Sequence, residues 1–344
     1  MAEGFKYGLL LVAQLDGPTI CTEIAPGVWA HDGSIASLVL DADVSHWREW
    51  VGSLEWEALT KTQLMVDTRV VSARAEVMDG DNQLLEARLA RVRRGLLLAG
   101  PAGFVSGETR ILSGEAEGRA PTDHLRSIRR LPRRGQTIVR PYCCSRETFW
   151  TTRPRNSEEG WLNRWRDAIA LLAATERDGV PPLLFFGLLA FERSFESFEI
   201  EFKIPDCVRA TEAILGLPRG AGGGQNAFAD RVLALVPELE QDWYVGGSGL
   251  RERLVQLYVH RNECVHGKVP FGLLVADGRD GPEEAARFDY LAETVARAVL
   301  LRALRHPNAR AMFSDRAALE AAWTEKWFSG SFAGSQSPWP SQSA

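Results

Sequence analysis

The stretch Leu250–Gly267, LRERLVQLYVHRNECVHG, constrains what this chain can fold into more than any other. Apolar residues at 250, 254, 257, 258 and 265 have the spacing of a helix with one buried stripe. At about 100° per residue, Arg261 falls in the middle of that stripe. An always-charged group with five donors is costly among apolar neighbours unless something anionic meets it. Asn262 and His266, four apart, share the flank of the stripe, and Gly267 offers a helix stop. A cation, an amide and an imidazole therefore gather at one helix end, where they make an anion site carrying a titratable group.

Arginine followed at similar spacing by histidine also occurs at Arg119–His124 and Arg253–His260. Arg261/His266 differs in context, with Asn directly after the arginine and Gly directly after the histidine. The segment LYVHRNECVHG resembles the R-x4-6-H signature of HEPN domains, in particular the Apea-like group. RATEAILG (209–216) and FADRVLAL (228–235) resemble two further helices of that group. The resemblance covers roughly the C-terminal half and nothing before residue 155. It implies an all-α bundle that dimerises through the motif helix and acts as a metal-independent endoribonuclease. It further implies that Arg261 orients the phosphate, Asn262 supports the geometry, His266 is the acid/base and Tyr258 lines the cleft.

The residues themselves allow that chemistry. Histidine titrates near neutrality and moves protons. Arginine holds a phosphate and stabilises charge developing in the transition state. Together they suffice, without metal, for attack of an RNA 2′-hydroxyl on its own phosphodiester. The reaction needs both a base and an acid, and two motifs facing across a two-fold axis would supply them.

A chain of 344 residues suggests two domains. The formal net charge of −5 means the whole molecule is not a basic nucleic-acid binder. The five cysteines, at 21, 143, 144, 207 and 264, contain no C-x-x-C pair, and no His/Cys/Asp grouping has metal-ligand spacing, so neither metal nor cofactor is expected. The odd cysteine count and the lack of a signal peptide predict a reducing cytoplasm. The most apolar run, LLFFGLLAF (183–191), is far shorter than the roughly 20 residues that span a bilayer, so a buried core helix is expected and no membrane contact.

Residues 1–155 are read as a mixed α+β domain. Strands are expected at 7–15 and 36–42, a helix at 45–59, one or two strands at 62–78 and a helix at 82–100. DGDN (79–82) is read as a turn; it opens like a calcium loop, but Leu84 and Ala90 stand at the sixth and twelfth positions, which rejects that assignment. Within this domain, 119–155 holds ten arginines against Asp123 and Glu147, with Tyr142, Phe149 and Trp150 interleaved. Guanidinium groups grip phosphates and aromatics stack on unpaired bases, so Arg129, Arg130, Arg133 and Arg134 are candidate RNA contacts. The alternative is a solvated linker, or a face that pairs with the more acidic residues before it.

From 156 to 328 the pattern is helical, with helices expected at 158–177, 181–198, 205–216, 225–238, 248–266, 283–305 and 315–328. Pro181, Pro182 and Pro205 are read as first-turn prolines. The glycine-rich 216–224 lacks the ending of a phosphate loop and reads as a connection. The Ser/Gly/Pro-rich tail 329–344 is expected to be disordered.

Three functions are consistent with this reading. The first is a HEPN-type endoribonuclease of the toxin or phage-defence kind, acting as a homodimer through the motif helix, with RNA as substrate and a neutralising or sensing partner. The second is a non-catalytic HEPN module that binds RNA or a protein. The third is a bundle that dimerises for structural reasons alone.

Overall fold

A computed structural model describes residues 3–13, 21–32, 64–72, 79–99, 105–116, 138–140, 158–177, 179–195, 200–217, 224–239, 249–267, 281–306 and 308–325. The expected strand at 36–42, the helix at 45–59, Arg129, Arg130, Arg133 and Arg134 of the arginine band, and the tail 329–344 lie outside the described residues. The chain divides into two compact units, Met1–Ala170 and Leu171–Ala344.

In the first unit, strands β1 (Glu3–Ala13), β2 (Cys21–Ala25), β3 (Val28–Asp32), β4 (Leu64–Ser72), β5 (Val105–Ala116) and β6 (Ile138–Arg140) form one sheet in the order β2-β3-β4-β1-β5-β6. Every pairing is antiparallel, and β1 lies between β4 and β5, with Gly4 opposite Ser72 on one side and Glu3 opposite Ala116 on the other. The β2–β3 hairpin turns at Pro26-Gly27, where Gly27 has φ +69° and its N–H donates to Glu23 Oε1 at 2.8 Å. Proline presets one turn residue and glycine alone takes the positive φ of the next without strain.

The stretch 79–82 is not a turn but the first turn of α1 (Asp79–Ala99). Helix α1 packs against β1, β4 and β5. The first half of α2 (Glu158–Arg177) fastens to α1. Trp165 is fully buried and donates from Nε1 to the Val92 carbonyl, and Arg164 Nε donates to the Ala99 carbonyl at the end of α1. Gly95 permits this approach, because a Cβ there would lie 2.6 Å from Ile169 Cγ1.

The second unit is a helical bundle of α3 (Pro182–Ser194), α4 (Ile200–Leu215), α5 (Gly224–Leu235), α6 (Leu250–Val265), α7 (Gly281–Arg305), α8 (Ala309–Met312) and α9 (Arg316–Thr324). No described helix is long and apolar enough to cross a membrane. Helix α3 stops at Ser194 rather than 198, and α4 begins at Ile200 rather than 205. Pro205 therefore lies inside α4, where it forfeits one ladder bond, to the Glu201 carbonyl. The buried Lys203, Ile204 and Val208 anchor the turns on either side of it. At Gly187, a Cβ would meet Leu300 Cδ2 at 3.1 Å and the Ala210 carbonyl at 3.2 Å, so glycine lets α3, α4 and α7 come together.

Charges are buried where α4 meets α7. Lys203 Nζ donates to Asp289 Oδ2 at 2.9 Å and to Glu293 Oε2 at 3.2 Å, and Glu293 also pairs with Arg297 one turn along. Burial opposes the charge on Lys203, but Glu293 and Asp289 outweigh it and hold the ammonium above the usual lysine range. Burial likewise opposes ionisation of Glu293, yet Lys203 and Arg297 bring its carboxyl down to about 2. At Asp289 burial wins over Lys203, and its carboxyl lies above the usual range. Two cations and two carboxylates thus balance across the helix pair.

The end of α4 is clamped. Arg231 Nη1 donates to the Leu215 and Gly216 carbonyls, at 2.7 and 2.5 Å, and its guanidinium lies over the Trp323 ring; Arg316 donates to the Leu217 carbonyl. These donors satisfy carbonyls that a helix end leaves orphaned. Gly216 has φ +57°, and a Cβ there would sit 2.7 Å from Leu319 Cδ2 of α9. Gly216→Ala combines left-handed strain with overpacking and should destabilise the bundle by about 2–4 kcal/mol. Denaturant unfolding checks this, and an unchanged midpoint would contradict it.

Candidate functional site

Helix α6 presents the motif. Leu250, Leu254 and Leu257 are buried, and Arg261 continues their row while retaining 19% exposure of its side chain. Within the chain, α6 packs against α4 and α5, so neighbouring helices cover its apolar row.

The anion that Arg261 requires is Glu212, one turn before the clamped end of α4. Arg261 Nη2 donates to Glu212 Oε2 at 2.5 Å, and Arg261 Nη1 donates to Asn262 Oδ1 at 2.8 Å. The Tyr258 hydroxyl donates to the other carboxylate oxygen, Glu212 Oε1, at 3.0 Å, and the guanidinium lies 5.5 Å from the Tyr258 ring centre. Phe228 of α5 supports that ring from 5.2 Å. Burial and then the Glu212 carboxylate push the Tyr258 hydroxyl above its ordinary range, so Tyr258 is a donor here and not a base.

Asn262 spends its side-chain oxygen, Oδ1, on Arg261. That bond fixes which way the amide faces, and its NH₂ group has no protein partner among the described residues. One turn further along the same face stands His266, the cap residue of α6, whose backbone N–H donates to the Asn262 carbonyl at 3.0 Å. Its imidazole is exposed and makes no hydrogen bond among the described residues. Gly267 follows with φ +62°, the left-handed turn that ends the helix. Val265, beside His266, is 48% exposed.

The structure thus joins Arg261, Asn262 and Tyr258 through Glu212. It places His266 on the Asn262 face, without a contact between the His266 and Arg261 side chains. Glu212 is the residue that sequence reasoning passed over. It lies in RATEAILG, a segment already singled out, but the anion owed to Arg261 was not assigned to it.

The rival motif is accounted for by packing. Arg253 and His260, the rival pair of similar spacing, both lie against Phe288 of α7, with the guanidinium at 5.6 Å and the imidazole at 4.7 Å. Cys207 is fully buried, and burial pushes its thiol up to about 12, which leaves no nucleophilic thiolate near neutral pH. Among the described residues, no group of three or more His, Cys, Asp and Glu side chains could hold a metal ion.

What the arrangement can do chemically follows from its parts. The unused Nη hydrogens of Arg261 and the Asn262 amide can donate to an anionic oxygen, whereas the buried Nε–H cannot. An exposed imidazole one helical turn away can exchange a proton with a bound group. Comparison with protein-family models, with curated proteins and with solved structures finds no match to this chain.

Proposed function

We propose that the chain is a metal-independent endoribonuclease of the HEPN type that acts as a homodimer through α6. One observation carries the reading: at the end of α6 a tethered guanidinium, an amide whose NH₂ has no partner among the described residues, and an exposed imidazole succeed one another along the helix. In this reading Arg261 and Asn262 hold a phosphodiester. His266 of one copy takes the proton from the 2′-hydroxyl as its oxygen attacks phosphorus. The bond from phosphorus to the 5′-oxygen breaks, and the second copy's His266 protonates the leaving oxygen. The products are a 2′,3′-cyclic phosphate and a 5′-hydroxyl. The exposed Val265 beside His266 supports a second subunit at this end of the helix. The α+β N-terminal domain, with Arg129, Arg130, Arg133 and Arg134, serves to grip RNA or to sense a trigger, in keeping with an effector of the toxin or phage-defence kind.

A second reading, a non-catalytic module that binds RNA or a protein, is favoured by the pairing of Arg261 with Glu212, which already neutralises the cation inside the chain. The test is purified protein on mixed cellular RNA with chelator present, with light scattering on the same sample. Fragmentation by a dimer is expected. Intact RNA would promote the second reading, and a monomer at micromolar concentration would count against assembly through α6.

A further inference from the structure

We propose that Glu212 is the positioning residue of this site, an inference that rests on the RNA-cleaving reading. A guanidinium on a long side chain has many rotamers, and its contribution to a transition state depends on where its donors point. Here two bonds fix the plane: Nη2 to Glu212 on α4, and Nη1 to Asn262 on α6 itself. Glu212 is in turn fixed. Its second oxygen accepts from Tyr258, and the end of α4 that carries it is held by Arg231, by Arg316 and by Leu319 packed at Gly216. The Glu212 side chain is 20% exposed and both its carboxylate oxygens are engaged, so it is placed to aim Arg261 rather than to meet substrate. The chain of contacts runs from Tyr258 through Glu212 and Arg261 to Asn262, one helical turn from His266. A residue that acts by aim alone affects the transition state more than the bound ground state, so its loss lowers kcat with KM little changed.

The test is steady-state cleavage of a single defined RNA by five proteins: wild type, Glu212→Ala, Glu212→Gln, Tyr258→Phe and the Glu212→Ala/Tyr258→Phe double variant. Each is first checked for folding by thermal unfolding. Glu212→Ala should lower kcat about tenfold or more while KM stays within about twofold. Glu212→Gln keeps an oxygen for Arg261 and should recover part of the loss. Tyr258→Phe, which removes only the hydroxyl tether, should lower kcat in the same direction by less. It should add little to Glu212→Ala in the double variant, because the two act as one unit. Tyr258→Phe also keeps the proposal open to test should Glu212→Ala fail to fold. A folded Glu212→Ala with unchanged kcat would overturn the proposal while leaving the cleavage reading intact. Tighter KM with unchanged kcat would make Glu212 a competitor of phosphate, and would overturn it too. A wild type that cleaves no RNA would overturn the cleavage reading and the proposal with it.

Discussion

His266→Ala should abolish measurable RNA cleavage and leave the unfolding temperature close to that of the wild type. General acid/base groups of this kind typically contribute about 10²–10⁴-fold each, and a two-fold assembly would lose its acid and its base in one substitution. Little else depends on the side chain. His266 is exposed, its φ of −92° and ψ of 4° suit alanine, and its bond to the Asn262 carbonyl is made by backbone. Arg261→Ala should inactivate as well, but at a cost in stability, because Glu212 would lose its cationic partner and keep only the Tyr258 hydroxyl. The comparison therefore separates chemistry from folding. Rate measurements beside melting curves decide it, and a His266→Ala protein of full activity would remove the imidazole from the mechanism.

Lys203→Met should carry the largest stability loss in the bundle, about 3–5 kcal/mol, because it strips the shared cation from two carboxylates and leaves them buried. Methionine fills similar space, so the loss measures charge and not a cavity. Adding Asp289→Asn to Lys203→Met should recover part of it, because Glu293 keeps Arg297 as its partner. Acid titration gives an independent check. In the wild type Glu293 is held down to about 2, so its contribution is present above the ordinary value of 4.5 and fades as pH falls towards about 2. Asp289 lies above its ordinary value and has the opposite sign: its contribution is lost as pH rises through its raised pKa. Removal of Lys203 takes away one of the two cations that hold Glu293 down and leaves Arg297, so the variant should gain stability relative to the wild type as the solution is acidified. Parallel stability profiles in acid would show that the three groups are not coupled as described.

The motif helix was legible because one periodicity encodes it. Leucines at 250, 254 and 257 announce the buried row, and Gly267 announces its end. The need of Arg261 for an anion was legible as well. The identity of that anion was not, since Glu212 and Arg261 meet only when α4 packs against α6, and no spacing along the chain reports such a meeting. Pro205 misled because proline usually marks a helix start, whereas packing of the residues around it carries α4 through the missing bond. Asp79 and Asp81 misled for the opposite reason: the residues that favour turns also favour the first turn of a helix. Two signals were present and unread. Pro26-Gly27 is a turn dipeptide that marks the β2–β3 hairpin. Asp289, Glu293 and Arg297 recur every fourth residue along α7, a charged row on a largely apolar helix that calls for a buried partner such as Lys203.

The most direct measurement is the chemistry of the ends that the wild-type protein leaves on a defined RNA in the presence of EDTA. On the proposed mechanism, attack by the 2′-hydroxyl, with Arg261 holding the phosphate and His266 moving the proton, should leave a 2′,3′-cyclic phosphate on one fragment and a 5′-hydroxyl on the other. It also leaves intact any linkage whose 2′-hydroxyl has been replaced by hydrogen. Fragments ending in a 3′-hydroxyl, or cleavage that stops when divalent metal is removed, would contradict the account.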